Sequence, residues 1–157
     1  MSELERIFLT SGLTILGGII VLVLGQLVQR FFIEPIHEQA RVIGEIAYSL
    51  AFYAPVYSSP SLARATDEGF KVMDALRGNA SRLIAATHAI RWYWLYRLIL
   101  WSAPPEKDVL GAVGGLFFLS NSLFQGDSLE NSKVRDEIVK LLRIRTIQVL
   151  RSSSRQN

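Results

Sequence analysis

The stretch IFLTSGLTILGGIIVLVLGQLV, residues 7–28, decides the fold of this chain. It carries no charge, and Gln26 is its one strongly polar side chain. A helix rises by about 1.5 Å per residue, so these residues are long enough to cross a hydrocarbon core about 30 Å thick. The stretch predicts a transmembrane helix, which we place over residues 7–30.

A cleaved signal peptide is the alternative interpretation of this stretch. The preceding MSELER carries two acidic residues, the apolar run is longer than a signal-peptide core, and no small-residue cleavage pattern follows it. Arg30 and Arg41 follow the apolar run, whereas Arg6 precedes it. The positive-inside rule therefore predicts an outward amino terminus and a cytoplasmic body.

The composition agrees with a membrane protein. The 157 residues suffice for one domain, half of them are hydrophobic, only 20% are charged, and the mean hydropathy is +0.26. A formal net charge of +3 is too small to indicate nucleic-acid binding. The absence of cysteine excludes disulfides, thiolate nucleophiles and zinc–thiolate sites.

A stripe of mostly small residues runs along the apolar stretch at steps of three and four. Its members are Ser11, Thr14, Gly18, Val21 and Gly25. Such stripes let helices approach closely in lipid, which favours a homo-oligomer formed through this helix. Glycine is also common in transmembrane helices without any such role, so both interpretations stay open.

The rest of the chain predicts helices, because no segment shows a sustained two-residue alternation. We therefore expect an all-α protein: a flank over residues 1–6, the membrane helix over 7–30, an antiparallel bundle of about four helices over 31–150, and a disordered tail over 151–157. A second membrane segment over residues 109–126 is an alternative, since that stretch is uncharged but rich in Gly, Ser and Asn.

Four apolar seams define the predicted helices of the bundle. The second helix of the chain begins near Pro35, or the first kinks there, and Pro55 ends it. The third begins at Ser61 or Leu62 and continues past Gly78 to about Trp101, the fourth follows Pro105, and the fifth covers residues 129–150. Their seams are, in order, Ile36, Ala40, Ile43, Ala47 and Leu50; Gly69, Met73, Leu76, Ala80, Leu83, Thr87, Ile90 and Trp94; Val109, Val113, Leu116, Ser120 and Leu123; and Val134, Ile138, Leu141, Leu142 and Val149.

The run WYWLYRLILW, residues 92–101, collects aromatic and basic side chains. If the second helix climbs away from the membrane, the third must return, and this run then arrives at membrane depth. Trp, Tyr and snorkelling Arg are typical of that level. We predict membrane-interface residues at Arg30, Trp92, Trp94, Arg97 and Trp101; the alternative is that the aromatic rings fill the bundle core.

Candidate chemistry is sparse. Glu34, His37 and Glu38 stand at helical spacing, but a carboxylate-bridged metal site needs a second Glu-x-x-His copy, which is absent, so we predict no catalytic, cofactor-binding or metal-ligating residue. The glycines of residues 111–115 indicate close helix contact, and Asn79-Ala-Ser81 matches a glycosylation acceptor by a short pattern only. A basic C-terminal set either rests on anionic headgroups or favours a helix terminus; it comprises Lys140, Arg143, Arg145, Arg151 and Arg155.

The stretch FIEPIHEQARVIGEIAYSLAFYAPVYSSP, residues 32–60, resembles the juxtamembrane part of uncharacterised single-pass bacterial membrane proteins with a short helical cytoplasmic body. LSNSLF, residues 119–124, is similar to their penultimate helix. The resemblance implies a location in a bacterial inner membrane and carries no activity. We predict a membrane-anchored scaffold or interaction protein with an unidentified protein partner. Binding of lipid or another apolar ligand is the first alternative, and a metal-dependent enzyme is the second.

Overall fold

The computed structural model describes residues 3–57, 67–100, 103–124 and 127–144, and every regular element within them is helical. The helices are α1 (Glu3–Val28), α2 (Glu34–Phe52), α3 (Ala54–Tyr57), α4 (Glu68–Ala89), α5 (Tyr93–Ile99), α6 (Glu106–Ser122) and α7 (Ser128–Leu141), with a π-helical turn, Gln29–Ile33, between α1 and α2. The predicted all-α class and the long apolar N-terminal helix are confirmed.

The π-helical turn stands directly before Pro35. Proline has no N–H, and its ring clashes with the carbonyl four residues earlier in a regular helix. The backbone widens there, and the N–H of Glu34 donates to the carbonyl of Gln29, five residues back. The α-helix resumes at Glu34, one residue before the predicted position, and Glu3–Phe52 remains one helix of 50 residues.

No residue of α1 is buried. Phe8 is 76% exposed, and even Val23, near the body, is 45% exposed. In the described part of the chain, the continuous helix Glu3–Phe52 is the one helix long and apolar enough to cross a membrane.

The body is built by helices that pack side by side. The helix α4 packs against α2 and α6, and α6 packs against α7. Their shared core contains Val42, Ile46, Leu50, Val72, Leu76, Leu83, Leu116, Leu119, Leu123 and Ile138. The predicted inner face of α6 is confirmed, because all of its members are buried: Val109, Val113, Leu116, Ser120 and Leu123. The apolar character of α6 thus serves protein packing.

The buried face of α2 differs from the predicted seam. Ala40 is exposed, Ile36, Ile43 and Ala47 are half-buried, and of the predicted seam only Leu50 is fully buried. The buried face consists of Gln39, Val42, Ile46, Ser49 and Leu50. An apolar pattern could not show this face, because two of its members are polar and are buried against partners on α4.

The predicted continuation of the third helix to Trp101 is wrong. The helix α4 passes Gly78 unbroken but ends at Ala89, and Ile90 is extended, with φ −84° and ψ 91°. A new short helix, α5, begins at Tyr93. The break turns two tyrosines of the aromatic run into the protein, which one straight helix could not do while keeping Thr87 in the core.

The predicted end of the last helix is also wrong, because α7 stops at Leu141. Arg143 has a left-handed φ of 54°, its N–H donates to the carbonyl of Lys140 at 3.2 Å, and the N–H of Ile144 donates to that of Val139 at 3.0 Å. These two bonds form a Schellman motif. The sequence does not indicate this helix end, because an arginine stands at the position that glycine usually occupies. Predicted residues from 145 onward, including Val149, lie outside the described residues.

The predicted loop after α2 begins with a short helix. The helix ends at Phe52, and Pro55 lies within the first turn of α3, where proline is tolerated. Tyr57 is buried, whereas residues 58–60 and the predicted start of the third helix lie outside the described residues.

Candidate functional site at the base of the apolar helix

A groove opens where α1 meets the body. Two adjoining cavities of about 400 Å³ and about 870 Å³ form it, and they share Val28, Phe32, Ile36 and Tyr96 as walls. We call this pair of cavities the basal groove. Ligand sites in proteins have volumes of about 300–1,000 Å³ and mostly apolar walls, so each cavity has the size of a site for a small apolar molecule.

The smaller cavity joins the end of α1 to the segment that follows α4. Leu24 and Leu27 line one side, and Arg91 and Trp92 line the other. The ring of Trp92 packs on that of Phe32 with 5.2 Å between centroids. The segment that follows α4 therefore lies beside the end of α1, as the predicted helix lengths indicated.

The larger cavity extends from there along α2. His37, Ala40 and Ile43 line it, together with Pro104 and Arg143 from distant parts of the chain. The walls thus come from α1, the π-helical turn, α2, α5 with the segments on either side of it, and the residues that follow α7. Sequence reasoning did not identify this groove, because its residues are far apart in the chain and share no motif.

Of the predicted membrane-interface residues, Trp92 lines the basal groove, and the others that the structure describes lie on the protein surface. Arg30, in the π-helical turn, and Arg97 are exposed, Trp92 is 55% exposed, and Trp94 is 69% exposed. Trp101 lies outside the described residues. The aromatic run is divided between the surface and the interior, because Tyr93 and Tyr96 are buried. The alternative that all rings fill the core is therefore wrong for Trp92 and Trp94, and membrane contact stays a prediction.

A buried polar cluster holds α5 against α2 and α4. The side-chain N–H groups of Gln39 donate to Thr87 Oγ1 at 3.0 Å and to the Tyr93 hydroxyl at 3.3 Å. The Tyr93 hydroxyl donates to the carbonyl of Pro104 at 3.0 Å, and Thr87 donates to that of Leu83 at 2.7 Å, the bond predicted for a threonine in a helix seam. Gln39 Oε1 is buried without a partner, so this cluster carries an uncompensated polar atom.

An ion-pair network covers the outer edge of the contact between α2 and α4. Arg82 binds Glu45 and also reaches Glu38 at 3.5 Å, and Arg41 binds Glu45 at 3.2 Å and Glu38 at 3.6 Å. The hydrogen bond from Arg82 lowers the pKa of Glu45, and the slight desolvation of the carboxyl opposes that effect. The network orients the two helices at a modest energetic gain, since its members are partly exposed.

The alternative metal site at Glu34, His37 and Glu38 receives no support from this geometry. All three side chains are exposed, and Glu38 is engaged by two arginines. Among the described residues, no group of three or more His, Asp or Glu side chains could hold a metal ion.

Two glycines allow α6 and α7 to approach closely, as predicted. A Cβ atom on Gly115 would lie 2.7 Å from Ile138 Cγ1, and one on Gly111 would lie 3.3 Å from Leu141 Cδ1. Both distances are shorter than an ordinary contact between carbon atoms, which is about 3.5–4.0 Å. These glycines therefore serve helix packing.

The remaining candidates lie elsewhere. Asn79 is buried and donates to Ser49 Oγ at 2.9 Å, so its side chain is not presented for glycosylation. Lys140 is exposed and Arg143 lines the basal groove, while the other basic C-terminal residues, Arg145, Arg151 and Arg155, lie outside the described residues.

The stripe on α1 is uncovered in the single chain. All of its members are exposed, namely Ser11, Thr14, Gly18, Val21 and Gly25. A Cβ atom on Gly18 or Gly25 would meet nothing within 4 Å, and the Thr14 hydroxyl donates to the carbonyl of Thr10 at 2.8 Å. The glycines of the stripe are therefore uncovered, and the Thr14 hydroxyl is satisfied within its own helix.

The fold and the groove define an all-helical chain with an uncovered apolar helix and an apolar site at its base. Comparison with protein families, with curated proteins and with solved structures finds no match to this chain.

Proposed function

We propose that this chain is a single-pass membrane protein, anchored by α1, whose helical body acts as a scaffold by protein–protein contact at the membrane surface. The observation that carries this proposal is the difference in burial between the two parts of one continuous helix. Its first part buries no residue, while the residues after the π-helical turn pack into a body. Lipid is the environment that removes so many apolar side chains from water, each at a gain of about 1.5–3 kcal/mol.

The body is inferred to be an antiparallel bundle of α2, α4, α6 and α7. Polar pairs between α2 and α4 support this arrangement, because they run in opposite order along the two helices. They join Gln39 to Thr87, Glu45 to Arg82 and Ser49 to Asn79. Such a bundle is rigid enough to present a surface to a partner.

An exposed aromatic pair on α2 supports a contact function. Tyr48 and Phe52 are each more than 60% exposed and stack on each other with 5.4 Å between ring centroids. Aromatic side chains are enriched where proteins bind each other. A photo-crosslinking residue at position 48 is expected to capture one discrete protein in native membranes. The same residue at Lys71, an exposed position on α4, is the matched control, and equal adducts from both sites would contradict the assignment.

A topology experiment tests the anchor. Because the chain has no cysteine, a single cysteine can be placed at Glu3, at the start of α1, or at Ser128, at the start of α7. We expect carbonate-resistant membrane association, reaction of Glu3→Cys with an impermeant maleimide from outside a bacterial cell, and protection of Ser128→Cys. Extraction by carbonate would refute the anchor, and the opposite labelling pattern would refute the cytoplasmic body and the bacterial inner-membrane orientation.

Lipid or apolar-ligand binding is the second candidate function, and the basal groove favours it. The indole of Trp92 lines this groove, and the indoles of Trp92 and Trp94 are both exposed. Brominated lipids with shallow labels are expected to quench their fluorescence in reconstituted protein. An absence of quenching at every label depth would place the aromatic segment outside the bilayer.

A further inference from the structure

We propose that the basal groove binds one anionic phospholipid, with an acyl chain along its apolar walls and the phosphate against Arg91. This inference rests on the proposed membrane anchor, because a lipid reaches the groove only if α1 lies in the bilayer. It specifies the ligand class, the site and the stoichiometry, which the scaffold function does not require.

The first support is the continuity of the groove with the uncovered surface of α1. Leu24, Leu27 and Val28 belong to both, so an acyl chain that lies along α1 enters the groove without crossing a polar barrier. The break after Ala89 supplies the opposite wall through Ile90 and Trp92.

The second support is the charge at the edge of the groove. Arg91 lines the smaller cavity, and no carboxylate is among the described residues that line either cavity. A guanidinium group binds phosphate through charge-assisted hydrogen bonds. An apolar wall with a cationic edge complements an amphiphile with a negative headgroup.

A second copy of the chain is a poorer occupant of this groove. In a two-fold symmetric contact it would bring a second Arg91 against the first, and the chain carries a formal net charge of +3. Like charges that face each other across a contact disfavour it. The negative phosphate of an anionic lipid instead offsets the charge of Arg91.

The test uses the full chain in nanodiscs of phosphatidylcholine and phosphatidylglycerol in equal amounts. Native mass spectrometry after detergent release is expected to show one retained phosphatidylglycerol per chain. Arg91→Gln should reduce that retention about fivefold, the effect of one basic residue near an anionic group, whereas Arg91→Lys should keep most of it. Arg97→Gln is the matched control, because Arg97 is exposed on α5 and lines neither cavity.

A second pair of variants tests the groove itself and does not depend on Arg91. Ala40→Trp fills the larger cavity from an exposed position on α2 and should reduce lipid retention, whereas Ala51→Trp, on the same helix but outside the groove, should not. The proposal would be overturned by equal retention of the two lipids or by a dimer that carries no lipid. It would also be overturned if Arg91→Gln and Arg97→Gln had equal effects, or if the two Trp variants had equal effects. Carbonate washing of native membranes that contain the protein keeps the two failures distinct: an anchored protein without bound lipid refutes only the groove, and an extracted protein refutes the anchor.

Discussion

Replacement of Gly115 by alanine tests the close approach of α6 and α7. The new Cβ atom would lie 2.7 Å from Cγ1 and 3.1 Å from Cδ1 of Ile138, which is 1% exposed and cannot swing into solvent. Overpacking of this kind costs about 1–3 kcal/mol. Alanine in place of glycine inside a helix returns about 1 kcal/mol, so we expect a net loss of about 1 kcal/mol in the free energy of unfolding.

Gly114→Ala is the matched control, because a Cβ atom there meets nothing within 4 Å. It gains the same helix propensity without the clash and should stabilise the protein by about 1 kcal/mol. The difference between the two variants, about 2 kcal/mol, therefore isolates the steric cost and corresponds to about 4–8 °C in Tm for a chain of this length. Thermal unfolding of detergent-solubilised protein by circular dichroism measures it. Equal Tm values for the two variants would refute the close packing, as would a failure of Ile138→Ala to recover part of the loss in the Gly115→Ala background.

Three further outcomes follow from the ion pairs, the stripe and the core. The pKa of Glu45 is lowered in the folded protein, so its carboxylate stabilises the fold above its unfolded pKa of about 4.3, and that contribution disappears as the pH falls through the lower folded value. Glu45→Gln should therefore lower Tm at pH 7, and its Tm should approach that of the parent protein at low pH. Glu137→Gln, at an exposed position on α7, should change Tm little at either pH. A difference in Tm between Glu45→Gln and the parent that stays constant with pH would contradict the pairing. Gly18→Ile should reduce crosslinked dimer in membranes more than Gly12→Ile, which lies on another face of α1, and equal yields would leave the stripe facing lipid. Tyr57→Phe removes a buried hydroxyl that donates at 2.5 Å to a carbonyl in α2, so it should cost about 1 kcal/mol in a urea titration, and an unchanged midpoint would show that this bond contributes nothing.

The candidate site lay mostly beyond sequence analysis, although parts of it were visible. The aromatic run and the return of the chain to the end of α1 followed from helix lengths and from the concentration of Trp, Tyr and Arg. The walls of the basal groove did not, because Val28, Tyr96 and Arg143 come together only after two helix breaks. The residues at which α4 and α7 end, Ile90 and Arg143, are neither glycine nor proline.

The sequence by itself determined the all-helical class, the apolar N-terminal helix and the buried face of α6. In each case a long periodic or uncharged pattern reflects one driving force, the transfer of apolar side chains out of water. Only the tertiary structure decided which face of α2 is buried, where α4 and α7 end, and how the basal groove is closed. Those features depend on pairwise contacts: Gln39 is buried because Thr87 and Tyr93 accept its hydrogen bonds, and Arg143 ends α7 because Ile144 can then reach the core. The partners in such contacts are far apart in the chain or depend on one local backbone angle, so no periodicity in the sequence reveals them.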